Sequence, residues 1–246
     1  MSGPKSFNAI APFYDELMAS VPYHIWVSYY ELLLAQMEAE PASILDVCCG
    51  TGNVTEILAG KGFEMAGVDL SEPMICEAQR KATAMGLNIS YLASDAAEFD
   101  FGRKFDAAFS FFDSFNYITD LGHLSKAIGR VAAHLKPGST FVFDLNTAYA
   151  FEKKMFDQVD TRKKARVKYK WVGKYDPKTR VIRVAMDFEH EGTKFHEEHI
   201  QRAHTEDEMT TMLVDHGFGD IAFFDSYTLD PPMPTSDRVH CICRLR

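Results

Sequence analysis

An acid and two glycines stand where a buried strand gives way to a helix. The run from Ile44 to Thr55, ILDVCCGTGNVT, combines a strand end, a glycine turn and a helix start. Ligands of open α/β sheets bind at the carboxyl ends of the strands, where glycines let backbone amides approach the ligand. A dinucleotide-binding turn would carry a third glycine in place of Thr55. Asp46 would repel a pyrophosphate and attract an ammonium or sulfonium group, so the pattern favours a cationic ligand without phosphates.

The spacing Asp46-x-x-x-Gly50-x-Gly52 resembles the first motif of class I methyltransferases that use S-adenosylmethionine (SAM), a sulfonium compound. The usual form of that motif is D/E-x-G-x-G-x-G, and Cys48 stands where the family's first glycine usually lies. The resemblance implies that SAM is the cofactor and that these four residues lie against it.

Two later segments extend the resemblance. The run D-L-S-x-x-M from Asp69 to Met74 closely resembles the family's second motif, which implies that Met74 packs on the adenine ring and that Leu70 also contacts SAM. Asp69 ends a buried strand, where an acid can accept hydrogen bonds from both ribose hydroxyls. The pair Asp95-Ala96 resembles the third motif, which holds the adenine edge. A core position for Met74 and a surface turn for Asp95 are the alternatives.

The N-terminal segment carries aromatic residues at helical spacing. Helices are predicted over 6–18 and 22–37. The first of them fits the family's form F-x-x-x-A-x-x-Y-D, a segment that closes over the cofactor, with Phe7, Ala11, Tyr14 and Asp15. The resemblance implies that Tyr14 is a lid residue near the reacting methyl group, with Tyr23 and Trp26 behind it. Amphipathic cover for the sheet is the alternative.

Strands and helices alternate along the chain in the way that predicts a parallel α/β sheet. Strands are predicted over 44–47, 64–69, 89–93, 105–110, 140–145, 221–227 and 239–245. Thr205-x-x-Glu208 predicts a capping box that opens the last helix. The resemblance implies a Rossmann-like, seven-stranded, mostly parallel sheet with helices on both faces, formed by residues 1–161 and 204–246.

Residues 162–203 are too many for an ordinary connection between the fifth strand and the last helix. Apolar residues alternate with polar ones over 166–171 and 181–188, which predicts a three-stranded antiparallel sheet with one apolar face. Amino-sugar N-methyltransferases and enzymes similar to glycine N-methyltransferase carry such an insert as a roof over the acceptor pocket. Ten Lys or Arg and a single acid lie between Arg162 and Arg183. They could attract an anionic acceptor or a nucleic acid, or pair with neighbouring acids such as Glu197 and Glu198.

The acceptor is expected to meet the loop that follows the fourth strand, which runs from Phe111 to Tyr117 and is rich in aromatic residues. Phe111 is assigned to the cofactor. Acceptor contacts are assigned to Asn116, Asn146 and Arg202, and anchoring of the insert is the alternative for Arg202. An amine that is already neutral needs no strong base, because positioning supplies most of the rate. For other acceptors, the candidate bases are Tyr14, Asp113, His199 and His204.

Composition restricts the class of protein. The 246 residues are 46% hydrophobic and 25% charged, as in an ordinary globular domain. The net charge of −9 disfavours nucleic acid as a partner. The absence of a signal peptide or an apolar run of membrane length predicts a cytoplasmic protein with no membrane partner. Five cysteines without framework spacing predict neither disulfides nor a metal site.

The resulting hypothesis is a SAM-dependent methyltransferase that acts on a small molecule, more readily at nitrogen than at oxygen. The acceptor could be anionic, and a homodimer is a further expectation. Three alternatives remain at this point: an RNA or protein methyltransferase, a nicotinamide-dependent oxidoreductase, and a SAM-binding module without catalysis.

Overall fold

A computed structural model describes residues 7–160, 162 and 165–246. Its main sheet has seven strands in the order β10-β11-β5-β4-β1-β2-β3. The strands are β1 (Ser43–Val47), β2 (Glu64–Asp69), β3 (Ser90–Ala93), β4 (Phe105–Ser110), β5 (Leu135–Asn146), β10 (Phe218–Asp225) and β11 (Arg238–Leu245). Only β11, among these seven, runs antiparallel to its neighbours, β5 and β10. The predicted Rossmann-like, mostly parallel sheet is confirmed.

Helices cover both faces of this sheet. They are α1 (Tyr14–Leu17), α2 (Tyr23–Gln36), α3 (Asn53–Gly60), α4 (Glu72–Ala84), α5 (Leu121–Ala133), α6 (Ala148–Glu152) and α7 (Glu206–Asp215). On one face, α2 and α3 pack against Ile44 of β1, and on the other, α5 and α7 belong to the cluster that includes Leu45. Successive residues of a strand point to opposite faces, so a strand covered on both sides is apolar throughout.

The parallel register brings the predicted site residues to one edge. Strand β1 pairs with β2 on one side, where Asp46 lies opposite Gly67, and with β4 on the other, where Asp46 lies opposite Phe109. The carboxyl ends of these three strands therefore meet. The glycine turn after β1, Asp69 at the end of β2 and the aromatic loop after β4 share a single crevice.

A second, antiparallel sheet holds β6 (Gln158–Val159), β7 (Val167–Asp176), β8 (Val181–His190) and β9 (Thr193–Arg202). Its inner face buries Ile182, Val184, Met186 and Phe188 against the N-terminal segment and α6. The three long strands were expected. The short β6 was not predicted, because its two exposed residues show no alternation of apolar and polar side chains. It lies before position 162, where the insert was predicted to begin. The division of the chain at 162 and 203 stays a prediction.

Local structure departs from the sequence expectations at several boundaries. The predicted helix over 6–18 is a 3₁₀ turn, Ala11–Phe13, followed by α1; Pro12 lies in that turn, and Ser6 lies outside the described residues. Strand β5 begins at Leu135, before the predicted start at position 140, and runs through the Lys-Pro-Gly segment. The register between β4 and β5 shifts there, so the irregular stretch is accommodated at the end of the strand pair. The capping box of α7 is confirmed, with both of its hydrogen bonds present.

Candidate functional site

A cavity of about 1180 Å³ lies at the carboxyl ends of β1, β2 and β4. It is bounded by the glycine turn, the start of α4, the aromatic loop after β4 and the N-terminal segment. Most of the predicted cofactor residues line it: Tyr14, Tyr23, Asp46, Cys48, Gly50, Asp69, Leu70, Met74, Asp95, Ala96 and Phe111. The structure therefore brings together residues that the three sequence motifs supply separately.

The glycine turn presents its backbone to this cavity. Gly50 has a φ of 54°, and a Cβ atom built on it would meet no atom within 4 Å, so a side chain there would project into open space. A Cβ on Gly52 would lie 2.3 Å from the hydroxyl of Tyr91. Cys48 has a φ of 63°, which explains why the related motif usually has glycine at this position.

Asp69 joins the turn to the next strand. Its carboxylate accepts hydrogen bonds from the amide of Gly50, at 2.9 Å, and from the amide of Ser71, at 2.8 Å. Burial raises the pKa of Asp69, although these two bonds act against the rise. One acid thus fixes the glycine turn relative to α4 and faces the cavity where a ribose would lie.

Asp46 is buried beneath the turn and accepts a hydrogen bond from the hydroxyl of Thr55 at 2.5 Å. Burial raises the pKa of Asp46 to about 8, although the hydrogen bond from Thr55 opposes the rise. Thr55 therefore has a specific partner, since a glycine at this position would leave Asp46 without the hydroxyl.

Asp95 lies on the adenine side of the predicted site. It accepts a hydrogen bond from the amide of Ala97 at 2.8 Å, and Nε2 of His123 lies 2.9 and 3.0 Å from its two oxygens. Met74 is buried and also lines the cavity. His123 was missed from the sequence. The only local signal was its place three residues after Asp120, which caps α5.

The N-terminal segment is tied to both sides of the cavity. Asp15 accepts hydrogen bonds from the hydroxyl of Thr51, at 2.7 Å, and from the side-chain amide of Asn53, at 2.9 Å, and pairs with Lys81 at 2.8 Å. Burial opposes ionisation of Asp15, but these contacts outweigh it and lower its pKa. The hydroxyl of Ser71 donates a hydrogen bond to the side-chain oxygen of Asn8 at 2.7 Å. These contacts hold the segment that carries Tyr14 against the glycine turn and the start of α4, and Tyr14 lines the cavity. Its role as a lid residue stays a prediction.

Other predicted residues lie behind the cavity wall. Trp26 stacks on Phe112, with ring centroids 4.1 Å apart. The side-chain amide of Asn116 donates to the backbone carbonyls of Asn146, at 2.9 Å, and Arg202, at 2.8 Å. Arg202 itself pairs with Glu208 at 2.8 Å. This geometry favours anchoring of the aromatic loop to β5 and β9, and acceptor binding by these residues stays a prediction.

Two of the candidate bases are also committed to protein partners. The carboxylate of Asp113 pairs with Arg238 at 3.0 Å and accepts a hydrogen bond from Gln201 at 2.8 Å. His204 is buried, with Nε2 3.1 Å from the carbonyl oxygen of Phe115. Burial lowers the pKa of His204 to about 4. Their catalytic roles remain predictions.

A third candidate, His199, belongs to a chain of hydrogen bonds that reaches the cavity. Its Nδ1 lies 3.0 Å from the hydroxyl of Tyr117, and its Nε2 lies 2.7 Å from the carboxylate of Glu197. Tyr117 lines the cavity. The contacts of Tyr117 and Glu197 with His199 were missed, although Glu197 and His199 are two residues apart in a predicted strand and so share a face.

The charge of the cavity lining is one-sided. Six acids line it, and among the described lining residues there is no Lys or Arg. The acids are Asp46, Asp69, Glu72, Asp95, Glu98 and Asp120. Such a lining attracts a sulfonium or ammonium group. Together with the open glycine turn and the carboxylate of Asp69, it fits SAM better than it fits a pyrophosphate.

Comparison with known proteins also indicates a methyltransferase that uses SAM. Residues 44–138 match the family described as a methyltransferase domain. YqeM of Bacillus subtilis (strain 168), a provisionally named methyltransferase, is 31% identical over 95% of this chain and 94% of its own. A SAM-dependent methyltransferase structure from Clostridium acetobutylicum ATCC 824 has a TM-score of 0.83 at 29% identity, covering 97% of this chain and 98% of the other.

A further relative acts on an amino sugar. The dTDP-3-amino-3,4,6-trideoxy-alpha-D-glucopyranose N,N-dimethyltransferase of Streptomyces venezuelae is 34% identical over 46% of each chain.

Among the described residues, no helix is both long enough and apolar enough to span a membrane. The motifs, the acidic cavity at the strand ends and the full-length relatives agree, and the chain belongs to the SAM-dependent methyltransferases.

Proposed function

We propose that this enzyme methylates the nitrogen of a small-molecule amine. The observation that carries the proposal is the lining of the cavity, which combines six acids with aromatic side chains that include Tyr14, Tyr23, Phe112 and Tyr117. Acids and aromatic faces both attract an ammonium group and offer nothing to an anionic one. The amino-sugar N,N-dimethyltransferase supports nitrogen as the acceptor atom.

The roles of the chain's own residues follow from this placement. Asp69 would accept hydrogen bonds from the ribose, Asp95 would hold the adenine edge, and Asp46 would compensate positive charge beneath the glycine turn. Tyr14 and the aromatic loop would exclude water and orient the acceptor nitrogen. When bound, SAM supplies an electrophilic methyl group. Transfer then depends mainly on alignment of the nitrogen with that group.

The inserted sheet supports the proposed roof over the acceptor. Ile200 of β9 lines the cavity, and β9 also carries His199 against the aromatic loop. None of the described basic residues of the insert enters the cavity lining. Four of those between positions 162 and 183 pair with acids: Arg162 with Asp160, Arg166 with Glu191, Arg180 with Glu208 and Arg183 with Glu198. An anionic portion of the acceptor would therefore lie outside the cavity, with only its amine inside.

A matched acceptor panel tests the proposal. The purified chain would be incubated with SAM and with benzylamine, N-methylbenzylamine or glucosamine, alongside benzyl alcohol and glucose as partners that lack the amine. We expect methyl gain, read by mass spectrometry, on at least one amine and on neither alcohol. Methylation of an alcohol, of RNA or of a protein, together with none of the amines, would contradict the proposal.

SAM affinity should depend on pH through Asp46. Because burial holds the pKa of Asp46 near 8, its carboxyl is mostly protonated at pH 6, and a bound cation must displace that proton. Affinity should therefore rise with pH between 5.5 and 7, by up to about tenfold per pH unit, below the range in which the α-amino group of SAM titrates. Calorimetry in two buffers of different ionisation enthalpy would measure the released proton.

Asp46→Asn is the matched control for this pH dependence. Its amide oxygen can still accept the hydrogen bond from Thr55, but it has no proton to lose. We expect weaker binding with a flatter pH dependence. The same slope in both proteins would assign the proton to another group, of which Asp69 is the first candidate.

A further inference from the structure

Three polar side chains form a continuous hydrogen-bonded path from the acceptor side of the cavity into the protein interior. The hydroxyl of Tyr117, in the cavity wall, lies 3.0 Å from Nδ1 of His199, and Nε2 of His199 lies 2.7 Å from Oε2 of Glu197. His199 is fully buried and Glu197 is nearly so. Tyr117 and His199 are distant in the sequence, since 82 positions separate them.

The direction of these hydrogen bonds follows from Glu197. Burial opposes its ionisation, but hydrogen bonds from His199 and from the amide of Phe7 lower its pKa. An ionised carboxylate only accepts, so Nε2 of His199 must carry the hydrogen. In a neutral imidazole, Nδ1 is then an acceptor, and the hydroxyl of Tyr117 donates to it. The path is therefore oriented to pass a proton from the cavity to His199.

Such a path meets a chemical need of the proposed reaction. An ordinary alkyl amine has a pKa near that of lysine, about 10.4, and is protonated at neutral pH. A protonated nitrogen has no lone pair for the methyl group, so one proton must leave before transfer. The acidic cavity attracts the ammonium form, which makes the need for a proton acceptor greater.

We propose that Tyr117, His199 and Glu197 form a proton relay that deprotonates the acceptor's ammonium group. The inference rests on the proposed function. The ammonium N–H passes its proton to the hydroxyl oxygen of Tyr117 while the phenol proton moves to Nδ1 of His199, giving an imidazolium beside the carboxylate of Glu197. The freed nitrogen lone pair bonds to the methyl carbon as the carbon–sulfur bond breaks, and sulfur keeps that electron pair. The relay resets when His199 returns its proton to solvent by way of Tyr117.

The N-terminal segment completes the relay. Glu197 also accepts hydrogen bonds from the amides of Phe7, at 2.9 Å, and Ala9, at 3.1 Å. The ring of Phe7 lies against both Tyr117 and His199, with centroid distances of 5.3 and 4.5 Å. Its φ of 71° is unusual for a residue with a side chain. The segment that closes the cavity thus also covers His199 and Glu197, so their proton reaches solvent by way of Tyr117.

Other ionisable groups near the relay are accounted for. Asp113 and Glu197 both contribute to the electrostatic field at Tyr117, and together with burial, the larger cause, they raise its pKa. Asp113 is itself paired with Arg238. Tyr14 lies near Tyr117, and burial raises its pKa well above the usual range. Tyr117 therefore rests as the neutral phenol. It acts by accepting a proton from the ammonium group while it donates its own proton to His199.

The decisive variant is Tyr117→Phe, which keeps the ring and removes the hydroxyl. With whichever of benzylamine and N-methylbenzylamine is methylated, kcat at pH 7 should fall about 10²- to 10⁴-fold, the usual contribution of general base catalysis. SAM affinity should change less than about twofold. The defect should shrink as the pH approaches the pKa of the amine, about 10, because the free amine then needs no relay. Tyr149→Phe, in α6, is the control for loss of a tyrosine hydroxyl elsewhere.

Wild-type kcat in Tyr117→Phe, or a loss that does not change with pH, would overturn the relay. The second outcome would indicate a purely structural role for the hydroxyl. Circular dichroism and thermal unfolding would establish that the variant folds. If it does not fold, Glu197→Gln takes its place, and it too should lose activity at pH 7 and regain part of it at high pH.

A measurement without any acceptor separates the relay from the proposed function. Nitrogen NMR of protein labelled with ¹⁵N-histidine and saturated with S-adenosylhomocysteine should find His199 as the Nε2–H tautomer. An Nδ1–H tautomer would contradict the relay by itself, because Nδ1 could not then accept from Tyr117. Absence of amine methylation would instead contradict the proposed function.

Discussion

Asp69→Ala should bind SAM about 10- to 100-fold more weakly than the wild-type protein, the effect of losing hydrogen bonds to a charged group. Two losses combine in this variant. The ribose hydroxyls would lose the acceptor that we propose for them, and the amides of Gly50 and Ser71 lose the carboxylate that holds the glycine turn against the start of α4. Calorimetric titration with SAM and with S-adenosylhomocysteine would measure the change for both ligands.

Two variants serve as controls for Asp69→Ala. Asp69→Asn keeps one acceptor oxygen and a similar shape, so its affinity should lie between those of the alanine variant and the wild type. Asp230→Ala removes an exposed acid in the loop before β11 and should leave affinity unchanged. Wild-type affinity in Asp69→Ala would place the ribose elsewhere in the cavity.

The parts of the fold that the sequence predicted well are those with local causes. Strands β2 and β4 begin and end at the predicted residues, because each is a mostly apolar run that follows a charged, glycine-containing segment. The capping box of α7 is a local pattern of two residues three positions apart. The glycine turn could be placed for the same reason, since its chemistry is contained within the positions from Asp46 to Thr55.

The parts that the sequence could not supply depend on contacts between distant residues. The choice of Thr55 instead of glycine is explained only by its hydrogen bond to Asp46. Asn116 was assigned to the acceptor from its place in the aromatic loop. Its side-chain amide instead donates hydrogen bonds to carbonyl oxygens on β5 and β9. The path from Tyr117 to Glu197 requires the insert to pack on that loop. Propensity and spacing carry no information about such pairs.

Arg238 holds the buried charge beside the aromatic loop. Its guanidinium pairs with Asp144, which is fully buried at the end of β5, and with Asp113 at 3.0 Å. Burial raises the pKa of Asp144 to about 6 even though Arg238 lowers it. Removal of one partner from a buried ion pair leaves the other charge uncompensated, at a cost of about 3–5 kcal/mol. We expect Arg238→Ala to lose that much free energy of unfolding at pH 8.

The same variant should lose less stability at pH 5 than at pH 8. In the folded protein the pKa of Asp144 lies above its unfolded value of about 3.9, so its contribution is complete below pH 4 and is lost as the pH rises through 6. Without Arg238 the folded pKa rises further, because the ionised form has lost its counter-charge. At pH 5 the carboxyl is then neutral and tolerates burial. At pH 8 it must either ionise in the interior or take up a proton at a pH where a carboxyl in water is ionised, and both cost free energy.

Urea unfolding at the two pH values would measure the difference. Arg183→Ala, which removes an exposed arginine paired with Glu198, should cost less than about 1 kcal/mol at either pH. Addition of Asp144→Asn to Arg238→Ala should recover part of the stability at pH 8 and little at pH 5. An equal loss at both pH values would show that Asp144 is not the group left without a partner. Asp113, which is half-buried and also accepts from Gln201, would then be the acid that requires Arg238.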